Sequence, residues 1–219
     1  MIIVSLVRYL AGDVLRAGRW VAPGVLFLIL TVSGTAVGGT ALGGYGFTAT
    51  ALLPIAIWVT ITVLNSEDPI QTGITTVAVG SALTVRLTKL AVAFLACQFL
   101  TAIGVLWPLL TGHRATASDV LAGLIGHLLS SLAGVAFGGL LSRPLLRAPA
   151  WAVIGGIVVF LLEILIPGFP PVRPIAVSFS DVPPTSAELF RTLGQVAAET
   201  VIGAVVLIGL AQRLAQRRT

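Results

Sequence analysis

Six long apolar stretches constrain the fold of this chain more than any other feature. A bilayer core is about 30 Å thick, so one helical span needs about 20 mainly apolar residues. The 219 residues are 57% hydrophobic and only 10% charged, whereas a soluble domain carries about 25% charged residues. We therefore predict an all-α, polytopic membrane protein, a single domain over residues 1–219 with six transmembrane helices. The predicted spans are about 20–37, 47–64, 89–110, 120–141, 151–166 and 193–210.

Residues 5–16 precede the first span and mix apolar and charged side chains. Leu6 and Leu10 alternate with Asp13 and Arg16 at helical spacings of three and four. Such a pattern is typical of an amphipathic helix that lies in the membrane interface. We predict an N-terminal interfacial helix over 5–16.

The distribution of basic residues predicts the orientation. Of the thirteen Lys and Arg residues, ten lie in four places: the N-terminal segment, the connection 65–89, the loop 142–150 and the C-terminal tail. Cytoplasmic segments carry the excess of Lys and Arg, so we predict a plasma-membrane protein with both termini in the cytoplasm. The basic residues form no groove-sized cluster, so we predict no nucleic-acid partner.

Two residue types limit the chemistry of the chain. Lys89 is the only lysine, and its sequence context lacks the Gly-rich loop that ends in Gly-Lys-Ser/Thr. Any ATP must therefore be hydrolysed by a partner. Cys97 is the only cysteine, which excludes an intrachain disulfide and a Cys-rich metal site. We predict no catalytic residue, no metal and no cofactor in this chain.

The connection after the second span carries helix-start signals. Ser66 can cap a helix, Glu67 and Asp68 suit its first turn, and Pro69 suits an early helical position. Gly73 can end the helix. The segment then forms a short inward-facing helix with acid, amide and hydroxyl groups, which suits a socket on a cytosolic partner. A solvated loop without a partner is the alternative.

The same connection resembles a known family. The segments Ser66-Glu-Asp-Pro-Ile-Gln-Thr-Gly73, Val79-Gly-Ser81 and Leu83-Thr-Val-Arg-Leu-Thr-Lys89 are similar to those of ABC-2 type (type V) transporter permeases. The resemblance implies an exporter subunit for a hydrophobic or amphipathic drug, peptide or lipid, paired with a second permease subunit as a homodimer. Two copies of a cytosolic ABC ATPase would bind ATP and Mg. The implied ATPase contacts in the coupling helix are Glu67, Asp68, Gln71, Thr72 and Gly73.

Residues 169–192 separate the last two spans. Five prolines prohibit one continuous helix here, while the phenylalanine, valine and isoleucine side chains argue against a freely solvated loop. We predict an external re-entrant hairpin of short broken helices that folds back toward the membrane.

Three ionisable residues fall inside the apolar spans. Glu163, Glu199 and His127 are expensive to bury in a membrane, so each is a candidate for the translocation path. We place both glutamates three to six residues from an external boundary, where a structural polar role is the alternative. A proton relay through all three would instead make the chain a proton-coupled secondary carrier.

The span that contains His127 also presents serines and glycines. Ser130 and Ser131 follow His127 by three and four residues, a spacing that an intramembrane hydrolase could use. No Gly-x-Ser-Gly turn is present, which disfavours catalysis. Glycines in this span and the next predict close helix contacts: Gly134, Gly138, Gly139, Gly155 and Gly156.

Overall fold

The computed structural model describes residues 2–36, 39–146, 148–166, 169, 171–179 and 185–216. These residues form helices and connections, with no strand among them. The predicted cytoplasmic charges Arg147, Arg217 and Arg218 and some of the hairpin prolines lie outside these ranges. The helices are α1 (Ile2–Arg16), α2 (Val21–Ala36), α3 (Ala41–Leu64), α4 (Pro69–Val79), α5 (Ala82–Leu110), α6 (Ala117–Leu140), α7 (Pro149–Leu165), α8 (Val172–Ser178) and α9 (Ser186–Gln216).

Four of these helices are long and apolar enough to cross a membrane, judged by length and composition: α3, α5, α6 and α9. Helices α1 and α2 make a fifth candidate if the pair, bent by 74°, counts as one span. Helix α7 is apolar but shorter, at 17 residues. The chain is therefore an all-helical, multi-pass membrane protein.

Three long helices begin earlier than predicted because a polar side chain caps each one. Thr40 accepts a hydrogen bond from the Gly43 amide and starts α3 six residues before the predicted Phe47. Ser81 caps α5, so Lys89 lies two turns inside that helix rather than at its start. Thr185 precedes α9 in the same way, and its hydroxyl accepts from the Glu188 amide. Residues 41–46, which the predicted span 47–64 left out, are therefore helical.

Helix α3 lies at the centre and packs against α2, α5, α6, α7 and α8. Its contact with α6 is close because α6 presents glycines. A Cβ at Gly134 would lie 2.5 Å from the Ala56 Cβ, and one at Gly138 would lie 2.6 Å from the Thr60 Cβ. Without side chains at these two positions the backbones can approach. The predicted role of the glycines as helix contacts is confirmed.

Helix α1 buries one face against the start of α5. Leu6, Leu10 and Val14, spaced by four, are buried in one apolar cluster that includes Val85 and Leu90. The predicted amphipathic helix is confirmed, and it begins at Ile2 rather than at residue 5.

Helix α8 is short and packs along the first half of α3. Val172, at its start, shares an apolar cluster with Leu53 from the middle of α3. Phe179, just after its end, would contact a Cβ at Gly46, near the beginning of α3, at 2.8 Å. Helix α8 is therefore held among the long helices over its whole length.

Candidate functional site

Helix α4 connects two of the long apolar helices, α3 and α5, and its ends are built by local chemistry. Asp68, rather than Ser66, caps it by accepting a hydrogen bond from the Gln71 amide at 2.8 Å, and Pro69 is its first residue. Gly80 stops it in the left-handed conformation, with φ of +79°, which favours glycine. The prediction that Gly73 ends this helix is wrong, because Gly73 lies inside the helix and a second turn follows it.

A buried ion pair joins the beginning of α4 to α5. The Lys89 Nζ lies 2.7 Å from the Glu67 Oε2, and both side chains are almost fully buried. Thr75, on α4, donates to the other oxygen of Glu67 at 2.9 Å. The Lys89 Nζ also lies 3.5 Å from the Thr72 hydroxyl. The pair and its hydroxyl partners therefore fix α4 against α5.

These partners keep the Glu67 carboxylate charged despite its burial. Burial by itself would raise the pKa of the Glu67 carboxyl. The hydrogen bond and positive charge of Lys89, with hydrogen bonds from Thr75 and Tyr9, outweigh burial and lower that pKa below its ordinary value. The Glu67 carboxylate is thus ionised at neutral pH.

Helix α1 is tied to the same place. The Gln71 side-chain amide donates to the Tyr9 hydroxyl, and Tyr9 also helps to lower the pKa of the Glu67 carboxyl. We call the set Tyr9, Glu67, Gln71 and Lys89 the polar brace. It joins α1, the segment before α4, α4 itself and α5.

The opposite face of α4 is apolar and exposed. Ile70, Ile74 and Val77 are 78%, 66% and 83% exposed, and their spacing of four and three places them on one side of the helix. No residue of α4 is buried. An exposed apolar stripe on a short helix is typical of a surface that contacts another protein or the membrane. The residue spacing was readable in the sequence, but our prediction used only the polar residues.

The structure divides the predicted ATPase contacts into two groups. Asp68, Gln71 and Gly73 are exposed, and Thr72 is half-buried. Glu67 is buried in the polar brace. This pairing was not predicted from the sequence, because Glu67 and Lys89 are 22 positions apart and the turn at Gly80 brings them together.

His127 occupies a different region, between α3, α5 and α6. Its Nδ1 lies 2.7 Å from the Gly123 carbonyl oxygen and its Nε2 lies 3.0 Å from the Thr48 hydroxyl. A carbonyl oxygen only accepts, so Nδ1 carries the proton. Both ring nitrogens are used, and neither bonds to Ser130 or Ser131, so the spacing that suggested a hydrolase does not produce a Ser-His pair.

The two membrane glutamates are separate from His127 and from each other. Glu163, on α7, is fully buried, and its Oε2 accepts from the Val172 amide at 3.2 Å. Glu199 is exposed in the middle of α9. Helix α9 begins at Ser186, so Glu199 lies 13 residues from that end of the helix. Its distance from the membrane boundary stays a prediction. No hydrogen bond or ion pair within the described ranges joins these three residues.

Comparisons with known proteins give this chain no relative: no family model matches it, and no curated protein or solved structure does so significantly. The features that bear on function are therefore the polar brace, the exposed stripe of α4 and the long apolar helices.

Proposed function

We propose that this chain is the membrane-spanning permease subunit of an ATP-driven ABC exporter whose ATPase is a separate cytosolic protein. The observation that carries the proposal is α4: a capped helix between two long apolar helices, held on one side and exposed on the other. Such a helix can receive a force from a partner and pass it to the helices beside it.

The contacts of α4 favour this role over that of a passive loop. Burying an ion pair removes two charges from water, which costs several kcal/mol per ion. A loop without a partner would have no functional reason to bear that cost. It also gains nothing from three exposed apolar side chains. In our proposal the apolar stripe enters a socket on the ATPase, with Asp68 and Gln71 at its edge. Glu67 acts inside the chain, as part of the polar brace.

Movement of the socket would then reach the membrane through defined contacts. The polar brace carries it from α4 to α5 and α1. From α5 it continues to α6, because the Arg86 guanidinium donates to the Gly139 carbonyl oxygen at 2.7 Å and to the Arg143 carbonyl oxygen at 3.0 Å. Coupled helices of this kind change the access of a cavity by moving as rigid bodies.

The assembly that we propose contains two permease subunits, as a homodimer, and two ATPase subunits that bind ATP and Mg. Helix α7 serves as the sixth span, and α8 belongs to an external re-entrant hairpin. Both termini and α4 lie in the cytoplasm, and the membrane is the plasma membrane. The exported compound is hydrophobic or amphipathic, in the class of drugs, peptides or lipids.

Site-specific photo-crosslinking tests the partner. A benzophenone amino acid would replace Ile70, Ile74 or Val77, one at a time, in cells that express the full chain. The expected result is a crosslink to a protein with a P-loop ATPase sequence, identified by mass spectrometry. Leu121, 50% exposed at the other end of α6, is the matched control and should give no such product. Crosslinks from α4 to lipid alone, or to proteins without a P-loop, would contradict the proposal.

Cysteine labelling tests the orientation. In a Cys97→Ser background, a cysteine at Gln71 should resist a membrane-impermeant maleimide in intact cells. A cysteine at the exposed Arg114 should react. The reverse pattern would place α4 outside the cell and exclude a cytosolic ATPase as its partner.

A proton-coupled carrier is the second candidate, because Glu163 buries a carboxyl oxygen, Oε1, that has no hydrogen-bond partner within the described ranges. Such a carrier needs no ATPase. Transport that stops in a Glu163→Gln variant, persists when ATP is depleted and follows an imposed proton gradient would favour it over the exporter.

A further inference from the structure

Helix α9 is the least covered of the four long apolar helices. Within the chain, 22% of its apolar window is buried, against 44% for α5 and 67% for α3 and α6. One side of the helix packs against α6 and α8. Leu193 and Val196, on that side, share an apolar cluster with Leu129 of α6. The opposite side of α9 faces whatever surrounds the chain.

Five exposed residues form a line along this open side. They recur at alternating intervals of four and three, the spacing with which two helices pack side by side. We call them the α9 seam: Arg191, Gln195, Ala198, Ile202 and Val205. Since successive residues of a helix are turned by about 100°, the seam lies opposite the buried side that contains Leu193 and Val196.

Two polar side chains on the open side have no partner inside the chain. Gln195 belongs to the α9 seam, and Glu199 lies beside it, one turn further on. Both are exposed, and neither makes a hydrogen bond or ion pair with a described residue. The apolar window of the helix has a mean hydropathy of 1.9. Because an amide or a carboxylate is costly against lipid tails, these two groups need a polar neighbour from outside the chain.

A second copy of the chain suits the α9 seam. Two copies inserted in the same direction are related by a two-fold axis along the membrane normal, so their α9 helices run parallel and each seam residue meets its own counterpart. Gln195 can meet itself, because its amide both donates and accepts. Ala198 is small and lets the two backbones approach. Ile202 and Val205 supply apolar contact.

The charged groups also match in a parallel pair. The Gln195 amide of one copy can donate to the Glu199 carboxylate of the other in a charge-assisted bond. Glu188, three residues before Arg191, is exposed as well. The Arg191 guanidinium of one copy can therefore donate to the Glu188 carboxylate of the other. Two-fold symmetry forms each pair twice, so the surface is complementary to itself.

We propose that a second copy of this chain docks on the α9 seam, with Gln195 and Glu199 hydrogen-bonded between the copies. The proposal rests on the homodimer of the proposed exporter for the choice of occupant, and it names the surface that forms the dimer. It gives Glu199 a role at a subunit contact instead of in a translocation path.

Disulfide trapping in native membranes tests the contact. Full chains with Cys97→Ser and either Ala198→Cys or Ile202→Cys are oxidised with copper phenanthroline. A disulfide requires Cα atoms about 4–7 Å apart, which the two-fold axis provides at the seam. We expect most of the chain to run as a dimer on a nonreducing gel. Val201→Cys is the matched control and should stay monomeric, because Val201 is 47% exposed at the same depth but lies outside the seam.

A second measurement examines the hydrogen bonds. Full chains fused to donor or acceptor fluorescent proteins are reconstituted in phosphatidylcholine vesicles, and energy transfer is followed as lipid is added. Glu199→Leu should weaken association about ten-fold, because two symmetric interhelical hydrogen bonds are lost. Glu199→Gln keeps a hydrogen-bonding group and should stay within about three-fold of the wild type. Circular dichroism and size-exclusion chromatography check that each variant is folded.

Steric variants separate the seam from the rest of α9. Ala198→Phe should abolish energy transfer by keeping the two backbones apart. Val201→Phe is the matched control and should associate like the wild type. Both residues are exposed in the single chain, so neither substitution should disturb its fold.

Several results would overturn the proposal. Equal trapping at positions 201 and 202 would indicate random collision, and association unchanged by Glu199→Leu or Ala198→Phe would exclude the named contacts. Copies that associate without a seam disulfide would place the dimer contact elsewhere and leave the exporter's homodimer standing. A seam disulfide to a different protein, or no association at all, would exclude a second copy as the occupant. None of these outcomes changes the crosslink from α4 to a P-loop protein, so failure of the seam is distinguishable from failure of the exporter proposal.

Discussion

Removal of both charges from the polar brace should destabilise the chain by clearly less than the two single removals added together. Lys89 and Glu67 are almost fully buried with 2.7 Å between Nζ and Oε2. At an effective dielectric constant of 20, that separation gives about 6 kcal/mol of attraction before desolvation is subtracted. Deleting one member leaves the other charge buried and unpaired, at a cost of about 3–5 kcal/mol. This is a large part of the roughly 5–15 kcal/mol that stabilises a typical protein.

A double-mutant cycle measures the effect. Lys89→Met, Glu67→Gln, the double variant and the wild type would be unfolded reversibly in mixed micelles by a dodecyl sulfate titration, followed by circular dichroism. Each single variant should lose about 3–5 kcal/mol. The double variant should lose clearly less than the sum, which gives a coupling energy of about 2–3 kcal/mol. Exchange of the charges, with Lys at position 67 and Glu at position 89, should recover part of the stability.

The result that would refute this reasoning is additivity. If the two single losses sum to the double loss within about 0.5 kcal/mol, the two side chains do not interact energetically. Glu67 and Lys89 would then each be stabilised by other groups, and the polar brace would not couple α4 to α5.

The remaining predictions concern pH and two pairs of glycines. The pKa of Glu67 is lowered from 4.5, so the stability that its charge contributes is fully present above pH 4.5 and is lost as pH falls through the lowered pKa. The ion pair should therefore stabilise the wild type equally at pH 5.5 and pH 8, and the wild type's advantage over the double variant should shrink only below pH 4.5. Gly134→Ala places a Cβ 2.8 Å from a backbone oxygen of α3 and should cost about 1–3 kcal/mol, whereas Gly209→Ala, in open space, should stabilise by about 0.5–1 kcal/mol. Gly80→Ala forces alanine into φ of +79° and should cost about 1–2 kcal/mol, whereas Gly73→Ala, inside α4, should be neutral or stabilising. Thermal unfolding of each pair in the same detergent checks both predictions.

The long helices could be predicted from the sequence because a segment that crosses the hydrocarbon core of a membrane must consist mainly of apolar residues. The first residues of these helices were less predictable, because a helix begins at its capping residue, which can precede the apolar stretch by several residues. Thr185-Ser-Ala-Glu188 has the spacing of a capping box, and this signal could have placed the start of α9 correctly. The glycines at the start of α3 were left outside the predicted span 47–64, although Gly46 is helical and lets Phe179 approach.

The candidate site was predictable in part. Helix-start signals from Ser66 to Pro69 indicated a helix after the second span, and that helix exists, although Asp68 caps it instead of Ser66. The partner of Glu67 could not be predicted, because an ion pair across a turn depends on the length of α4, and that length was misjudged when Gly73 was taken as its end.

The burial of Lys89 has a consequence for chemical probing. Lys89 is the only lysine in the chain, and it is 3% exposed. Apart from an N-terminal amine, an acylating reagent therefore finds no other aliphatic amine in the protein. The rate at which such a reagent modifies Lys89 should report how often the polar brace opens. A single mass-spectrometric peptide could thus follow the movement of α4 relative to α5 without any introduced label.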